Sequence, residues 1–320
     1  EERWATHLAL TGQGERCLEL GAPGLAALRL ALRERSPQVR RLAAASLGRL
    51  PATVDAPERR AVIEALHEAL ADAHADVRAT VTLALGALGA EESVPLLIAH
   101  LDDEPVAEQV VAALGSLGKK AGAALLAALE AGPLAVRRRA AVALGRTGDK
   151  GLVPSLRKGL DDPEVPVRVA TVEALAALGG KRPVKVLAEQ LASDPAWQVR
   201  RAAATALGGL GDDSIASTLV AGLGDSFPEV RSSCLEALQR LGQAPSDQII
   251  EVSRALAGEQ WDRVVQLGPA GVELLLRVVG ETATDPRTVA SKIGAALALG
   301  RIRDPRALPA LLALLRDLHP

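Results

Sequence analysis

The residues best suited to catalysis or metal binding are five histidines, His7, His67, His74, His100 and His319, and two cysteines, Cys17 and Cys234. Their spacing builds no site. No Cys/His group has the short intervals of a zinc centre. His67-Glu68, in ALHEAL, is a single histidine–carboxylate pair. The carboxylate pairs Asp102-Asp103, Asp161-Asp162 and Asp212-Asp213 stand in turn-like stretches, where helix capping is the expected role. Ser232-Ser233 has no histidine near it in sequence to take a proton. No glycine fingerprint for phosphate stands between a strand and a helix, because no strand is predicted. These residues therefore name no catalytic group, no metal ligand and no cofactor, and an enzyme would need a site assembled from distant segments.

The chemistry that recurs is that of arginine. DPAWQVRRAAATALGGLG, residues 194–211, sets two adjacent arginines in a run of small apolar residues. Val199-Arg200, Ala203 and Leu207-Gly208 form the pattern V-R-x-x-A-x-x-x-L-G, which returns as Val39-Arg40, Ala43, Leu47-Gly48 and as Val136-Arg137, Ala140, Leu144-Gly145. Val77-Arg78, Val81 and Leu85-Gly86 make another copy. Looser copies lie at Val106, Val110, Leu114-Gly115; at Val167-Arg168, Thr171, Leu175; and at Val230-Arg231, Cys234, Leu238. Only the end of the pattern remains at Arg263, Leu267-Gly268 and at Lys292, Ala295, Leu299-Gly300. After a first interval of 38, successive copies stand about 29–32 residues apart, the mark of a repeat array that grows by stacking neighbours.

The elements that must position these arginines are helix pairs. In residues 180–211, Val184, Val186-Leu187 and Leu191 share one face of a first helix, and Pro183 suits its first turn. SDP breaks the chain, with Asp194 placed to cap a second helix from about Ala196 to Leu207. GGLG then ends it, the glycines being read as helix stops. Within the second helix, Val199, Ala203 and Leu207 are four apart and face the core. An acid precedes the first arginine by six positions, as Asp194/Arg200, Glu34/Arg40, Asp72/Arg78, Asp162/Arg168 and Asp225/Arg231. This predicts an ion-pair ladder, within or between repeats, in which Arg40, Arg78, Arg137, Arg168, Arg200 and Arg231 meet Asp72, Asp162, Asp194 and Asp225.

Composition fits thin helical layers. The chain has one Phe, no Tyr, no Met and three Trp, so Ala and Leu must fill the interior. A net charge of −2 gives no global pull toward nucleic acid or anionic membrane. No apolar run approaches the ~20 residues that span a bilayer, and EERWATHLAL lacks the features of a secretory leader, which points to the cytoplasm. Cys234 takes the buried Ala slot of its repeat. With stacked helices roughly 8–10 Å apart, it would lie on the order of 60–70 Å from Cys17, out of disulfide reach.

The Asp-to-Arg spacing with its L-G ending resembles HEAT repeats, most of all the bacterial subtype also found in phycobilin lyases, from about residue 15 to 318. The resemblance implies an all-α fold, a right-handed α-α superhelix of about nine two-helix repeats whose second helices line a concave, partner-binding face. It also brings to mind the HEAT-repeat deoxyhypusine hydroxylases, which hold two irons with several His-Glu pairs; the lone His67-Glu68 does not match them. PATVDAPE, 51–58, reads as a protruding loop, and GQAPSDQ, 242–248, as a break. Beyond it, EQWDRVVQLGPAGVELLL (259–276) resembles GERCLELGAPGLAALRLAL (14–32), with Arg263, Leu267-Gly268 and Gly271 matching Arg16, Leu20-Gly21 and Gly24. A main array over 1–243 and a second block over 244–320, continuing the same solenoid, are expected. The last stretch, DPRALPALLALLRDL, reads as a first helix that is either a cap or part of a longer array.

One position past the ladder stand Arg41, Arg138 and Arg201, and just past the L-G position Arg49, Arg146 and Arg240. With Arg139, in the Arg137-Arg138-Arg139 cluster, they form an intermittent basic track along the concave face, read either as a binding track or as a solvated face. Trp261 is placed on the same face, and Trp197 and Phe227 in the turns, as anchors or as packing. The expectation is a non-catalytic scaffold for a protein partner, an acidic segment by the chemistry of arginine. Two other readings stand beside it: a nucleic-acid-binding or DNA-repair module, opposed by interleaved Glu173 and Glu236, and a bilin-lyase-like enzyme subunit. The assembly state is not written in these residues.

Overall fold

The computed structural model describes residues 1–243, 246–280 and 286–317; His319, and Ala244 and Pro245 within the expected break, lie outside them. Among the described residues every regular element is a helix. The chain divides into two compact units, 1–178 and 179–320. The first comprises α1 (Glu2–Leu10), α2 (Gly14–Glu19), α3 (Ala22–Ala31), α4 (Pro37–Leu47), α5 (Ala56–Ala69), α6 (Ala75–Leu88), α7 (Val94–Ala99), α8 (Ala107–Ser116), α9 (Lys119–Ala131), α10 (Leu134–Arg146), α11 (Val153–Leu156) and α12 (Val165–Leu178). The second comprises α13 (Arg182–Ser193), α14 (Trp197–Leu210), α15 (Ala216–Gly222), α16 (Pro228–Arg240), α17 (Asp247–Ala257), α18 (Trp261–Leu267), α19 (Val272–Gly280), α20 (Pro286–Ile302) and α21 (Leu308–Asp317).

In the first unit the second helices of successive repeats, α4, α6, α8, α10 and α12, pack side by side; in the second unit α14 packs on α16. Their pattern residues form the core: Val199, Ala203 and Leu207 are fully buried, as are Val77, Val81 and Leu85. Short first helices are extended by 3-10 turns, His100–Asp102 after α7 and Arg157–Asp161 after α11.

Three local expectations are corrected. The glycine of the L-G pair is not a stop. Gly86, Gly145 and Gly208 lie inside α6, α10 and α14, and the stops of α6 and α14 come three residues later at the left-handed Gly89 and Gly211. A Cβ on Gly145 or Gly208 would stand 2.7 Å from the Cα of Ala174 or Ala237 in the neighbouring second helix, so these glycines allow backbones to approach. The loop at 51–58 ends at Asp55, whose carboxylate caps α5 by accepting from the Glu58 N–H at 2.8 Å. Asp194 is not itself the cap residue of α14; that is Ala196, whose N–H it receives at 2.8 Å.

The two similar segments share a backbone. Gly21 (φ 63°, ψ −134°) leads into α3, and Gly268 adopts φ 66°, ψ −139° just before α19. Gly24 packs on the backbone of Cys17, and Gly271 on the side chain of Val264.

Candidate functional site

A ladder arginine bonds to backbone carbonyls and, in Arg40, Arg78, Arg137 and Arg200, grips a carboxylate as well. Its Nη1 turns back to carbonyls in the preceding turn: Arg78 to Asp72 at 2.8 Å, Arg168 to Asp162 at 2.9 Å, Arg200 to Asp194 at 2.9 Å and Arg231 to Asp225 at 2.6 Å. Arg40 uses the carbonyl of Glu34 in the same way, at 2.7 Å. The six-residue spacing therefore records an arginine-to-backbone bond. The carboxylate comes from the next repeat. Arg40 grips Asp72 with Nε at 2.5 Å and Nη2 at 2.9 Å, and Arg78 grips Asp103 at 2.7 and 3.0 Å. Arg137 holds Asp162 at 2.7 and 3.1 Å, and Arg200 holds Asp225 at 2.6 and 2.9 Å. These are two-pronged guanidinium–carboxylate pairs between repeats. Asp103 was expected only as a cap, so this acceptor went unread.

The aspartates are positioned by the turns they make. Asp72, Asp162 and Asp225 each accept the N–H two residues on, at His74, Glu164 and Phe227, with distances of 2.8–2.9 Å. Asp103 is followed two residues later by Pro105, which has no N–H to give. The Arg40 guanidinium holds the Asp72 carboxyl below the usual carboxylate range, and Arg78 does the same to Asp103. Arg231 reaches the carbonyl of Leu256 near the end of α17.

The other arginines fall into three groups. Arg41, Arg138 and Arg201, one position past the ladder, have no carboxylate partner among the described residues: Arg41 donates to the Gln38 amide at 3.1 Å and Arg201 lies over the Trp197 ring at 5.5 Å. Arg138 and Arg201 are exposed and Arg41 is half-buried. Arg49, Arg146 and Arg240, by contrast, sit beside acids: Glu15 at 2.6 Å, Glu108 at 3.5 Å and Glu236 at 3.8 Å. Arg301 repeats the Arg49 arrangement, with Asp262 at 2.5 Å. Arg139 belongs to neither set. Its side chain is 8% exposed, donates to the Leu101 carbonyl at 2.7 Å and pairs with Glu104. It is inside because it stands about 200° round the helix from Arg137.

Trp197 and Phe227 stack at 5.6 Å, with Arg200 over Phe227, so these rings pack across the ladder. Trp261 is half-buried, its ring against the backbone of Gly294 in α20. An apolar strip went unread in the sequence: Val289, Ile293 and Leu297 on α20 are 44%, 55% and 66% exposed. Its signal was present, since these large residues occupy positions that other repeats give to Trp197, Arg201 and Thr205.

Residues with reactive side chains are placed structurally. His67 Nε2 meets the buried Ser93 hydroxyl at 2.7 Å, and burial lowers its pKa. Cys17 and Cys234 are buried free thiols, and burial raises the pKa of both. Among the described residues no three His, Cys, Asp or Glu side chains gather as a metal site, and no helix is long and apolar enough to cross a membrane.

HEAT repeats match residues 25–118, 122–197 and 184–268, and a PBS lyase HEAT-like repeat matches 292–317. No curated protein matches the chain. Two solved structures are similar, each with a TM-score of 0.36 and covering 76% of this chain. Human deoxyhypusine hydroxylase in complex with glycerol is 24% identical, with 96% of its chain covered. The complex of CpcE and CpcF of phycocyanin lyase from Nostoc sp. PCC7120 is 25% identical, with 94% covered.

Proposed function

The chain belongs to the HEAT-repeat family, and from that premise we propose that it is a non-catalytic scaffold that binds an acidic segment of a protein partner through the open side of its second helices. The observation that carries the proposal is the contrast between neighbouring arginines. Arg40, Arg137 and Arg200 are saturated by carboxylates, whereas Arg41, Arg138 and Arg201 beside them have none among the described residues. Their planar, permanently charged groups match a partner's carboxylates. Exposed Glu108, Glu173 and Glu236, on the second helices α8, α12 and α16, oppose a phosphate backbone. A cytoplasmic location belongs to the same proposal, supported by the two buried thiols. So does the division into a main array over 1–243 and a block over 244–320, supported by the matching turns at Gly21 and Gly268.

The test is fluorescence anisotropy with a labelled Glu/Asp-rich peptide and a labelled random duplex DNA, each titrated at two salt concentrations. The peptide is expected to bind, and R41E/R138E/R201E to weaken it by about tenfold or more, the worth of one charged hydrogen bond. Peptide binding unchanged by the triple reversal sinks the proposal. Tighter, steeply salt-dependent binding to DNA replaces it with the nucleic-acid reading.

A further inference from the structure

We infer that a cleft in the second unit binds a small organic acid, a single carboxylate on an apolar body. The cleft, of about 770 Å³, lies among the end of α13, α15, the turn into α16, and α19. Its size is that of a small-molecule site. It contains none of Arg41, Arg138 and Arg201, so it stands independently of the scaffold reading.

The charged groups select the ligand. Asp194, Arg200, Asp225 and Arg277 line the cleft, and three of them are committed within the protein. Arg200 holds Asp225 with two prongs and spends Nη1 on the carbonyls of Asp194 and Pro195. Asp225 also accepts the Phe227 N–H, and Asp194 accepts the Ala196 N–H; both aspartates are buried. Arg277 differs. It is exposed and has no hydrogen bond or ion pair among the described residues. Its stem crosses Gly224 so closely that an added Cβ there would stand 2.6 Å from the Arg277 Cβ and 2.8 Å from its Cδ. One position before the other ladder aspartates, the corresponding turns carry Ala71, Asp102, Asp161 and Ser193. Glycine at 224 therefore seats an unpaired guanidinium against this turn.

The second polar group is Ser226, in the same wall. It is 2% exposed, and its hydroxyl has no hydrogen-bond partner among the described residues. Its backbone is fixed, because its carbonyl accepts from Arg231 Nη1 at 3.0 Å. A buried hydroxyl left unpaired is unfavourable, and an accepting ligand oxygen removes that cost. The equivalent residues in the other turns are Ala73, Glu104, Pro163 and Pro195, so the hydroxyl, like the glycine, is particular to this one. A carboxylate offers one oxygen to the planar guanidinium and one to the hydroxyl. The two buried aspartates oppose a second negative charge. Leu191, Ala221 and Phe227 give the apolar wall for the rest of the acid.

The test is ligand-observed NMR titration of the full chain with short-chain, branched and phenyl-substituted monocarboxylic acids, each beside its primary amide. Acids that fit are expected to bind at least tenfold more tightly than their amides. Arg277→Gln, at an exposed position, is expected to weaken them at least tenfold, the loss of a charged hydrogen bond. Gly224→Ala keeps the charge but displaces the stem, and is expected to act in the same direction. Ser226→Ala is expected to weaken the acids about threefold while leaving the thermal midpoint of the ligand-free protein unchanged or raised; a hydroxyl serving the fold would lower it. Circular dichroism checks each variant. Binding by no acid, equal binding of acids and amides, or indifference to Arg277→Gln overturns the inference. Tighter binding of the matching dicarboxylates or phosphate monoesters overturns its single charge.

Discussion

Asp72 and Asp103 show how one residue type closes the array. Each takes a two-pronged grip from the previous repeat, Arg40 and Arg78 respectively. Each carboxyl is held below its ordinary pKa, first of all by that hydrogen bond. The folded protein therefore keeps both ionised at pH values where the unfolded chain, with aspartate near ~3.9, has begun to take up protons. Their contribution to stability is full above about pH 4 and drains away as pH falls through the lowered folded values. Urea midpoints measured from pH 7 to pH 2 are expected to fall less steeply on the acid side in D72N/D103N than in wild type, from a lower starting point at pH 7. Parallel curves would show that the pairs carry no linkage. Exposed pairs such as Arg49–Glu15 are expected to matter little, about 0–1 kcal/mol each.

At the scale of the helix, the unit that decides packing is a glycine against an alanine. Gly145 in α10 faces Ala174 in α12, and Gly208 in α14 faces Ala237 in α16; an added Cβ would come within 2.7 Å of a backbone carbon in each case. Alanine favours a helix over glycine by about 1 kcal/mol, so substitution at an open helical site would stabilise. Here overpacking costs about 1–3 kcal/mol and wins. G145A and G208A are each expected to lower the midpoint of thermal unfolding, whereas G209A, whose Cβ meets nothing within 4 Å, is expected to raise it slightly. A stabilised G145A would refute the close approach. The repeat, its helix pair and the ladder residues were legible in the sequence because Val, Arg, Ala and Leu recur at fixed positions. Asp72, Asp162 and Asp225 were legible as the ladder's acids too, but which arginine each meets was not, because the six-residue spacing is satisfied by a carbonyl and the carboxylate lies 25 or 32 residues on. The Arg139 misreading has a similar cause: three consecutive arginines look alike as letters, but about 100° of rotation per residue sends the third inward.

For the whole molecule, a repeat array distributes stability as a sum over neighbouring contacts, so its regions need not open together. The middle of the chain is dense: α10 packs on both α8 and α12, and Val94, Leu97 and Leu101 of the preceding repeat are buried. In α21, Leu308 and Leu315 stand in register with Val94 and Leu101, with Pro309 matching Pro95, yet they are 59% and 57% exposed. The same sequence pattern thus meets different surroundings, and that difference cannot be read from one repeat's letters. Amide exchange followed by mass spectrometry is expected to rank the helices accordingly. Peptides from α20 and α21 should exchange early, through local openings insensitive to low denaturant, and those from α8, α10, α14 and α16 last. Uniform protection across the array would mean that the leucines of α21 are covered in solution. In that case the exposed face of α21 would be the first surface to examine for a bound partner.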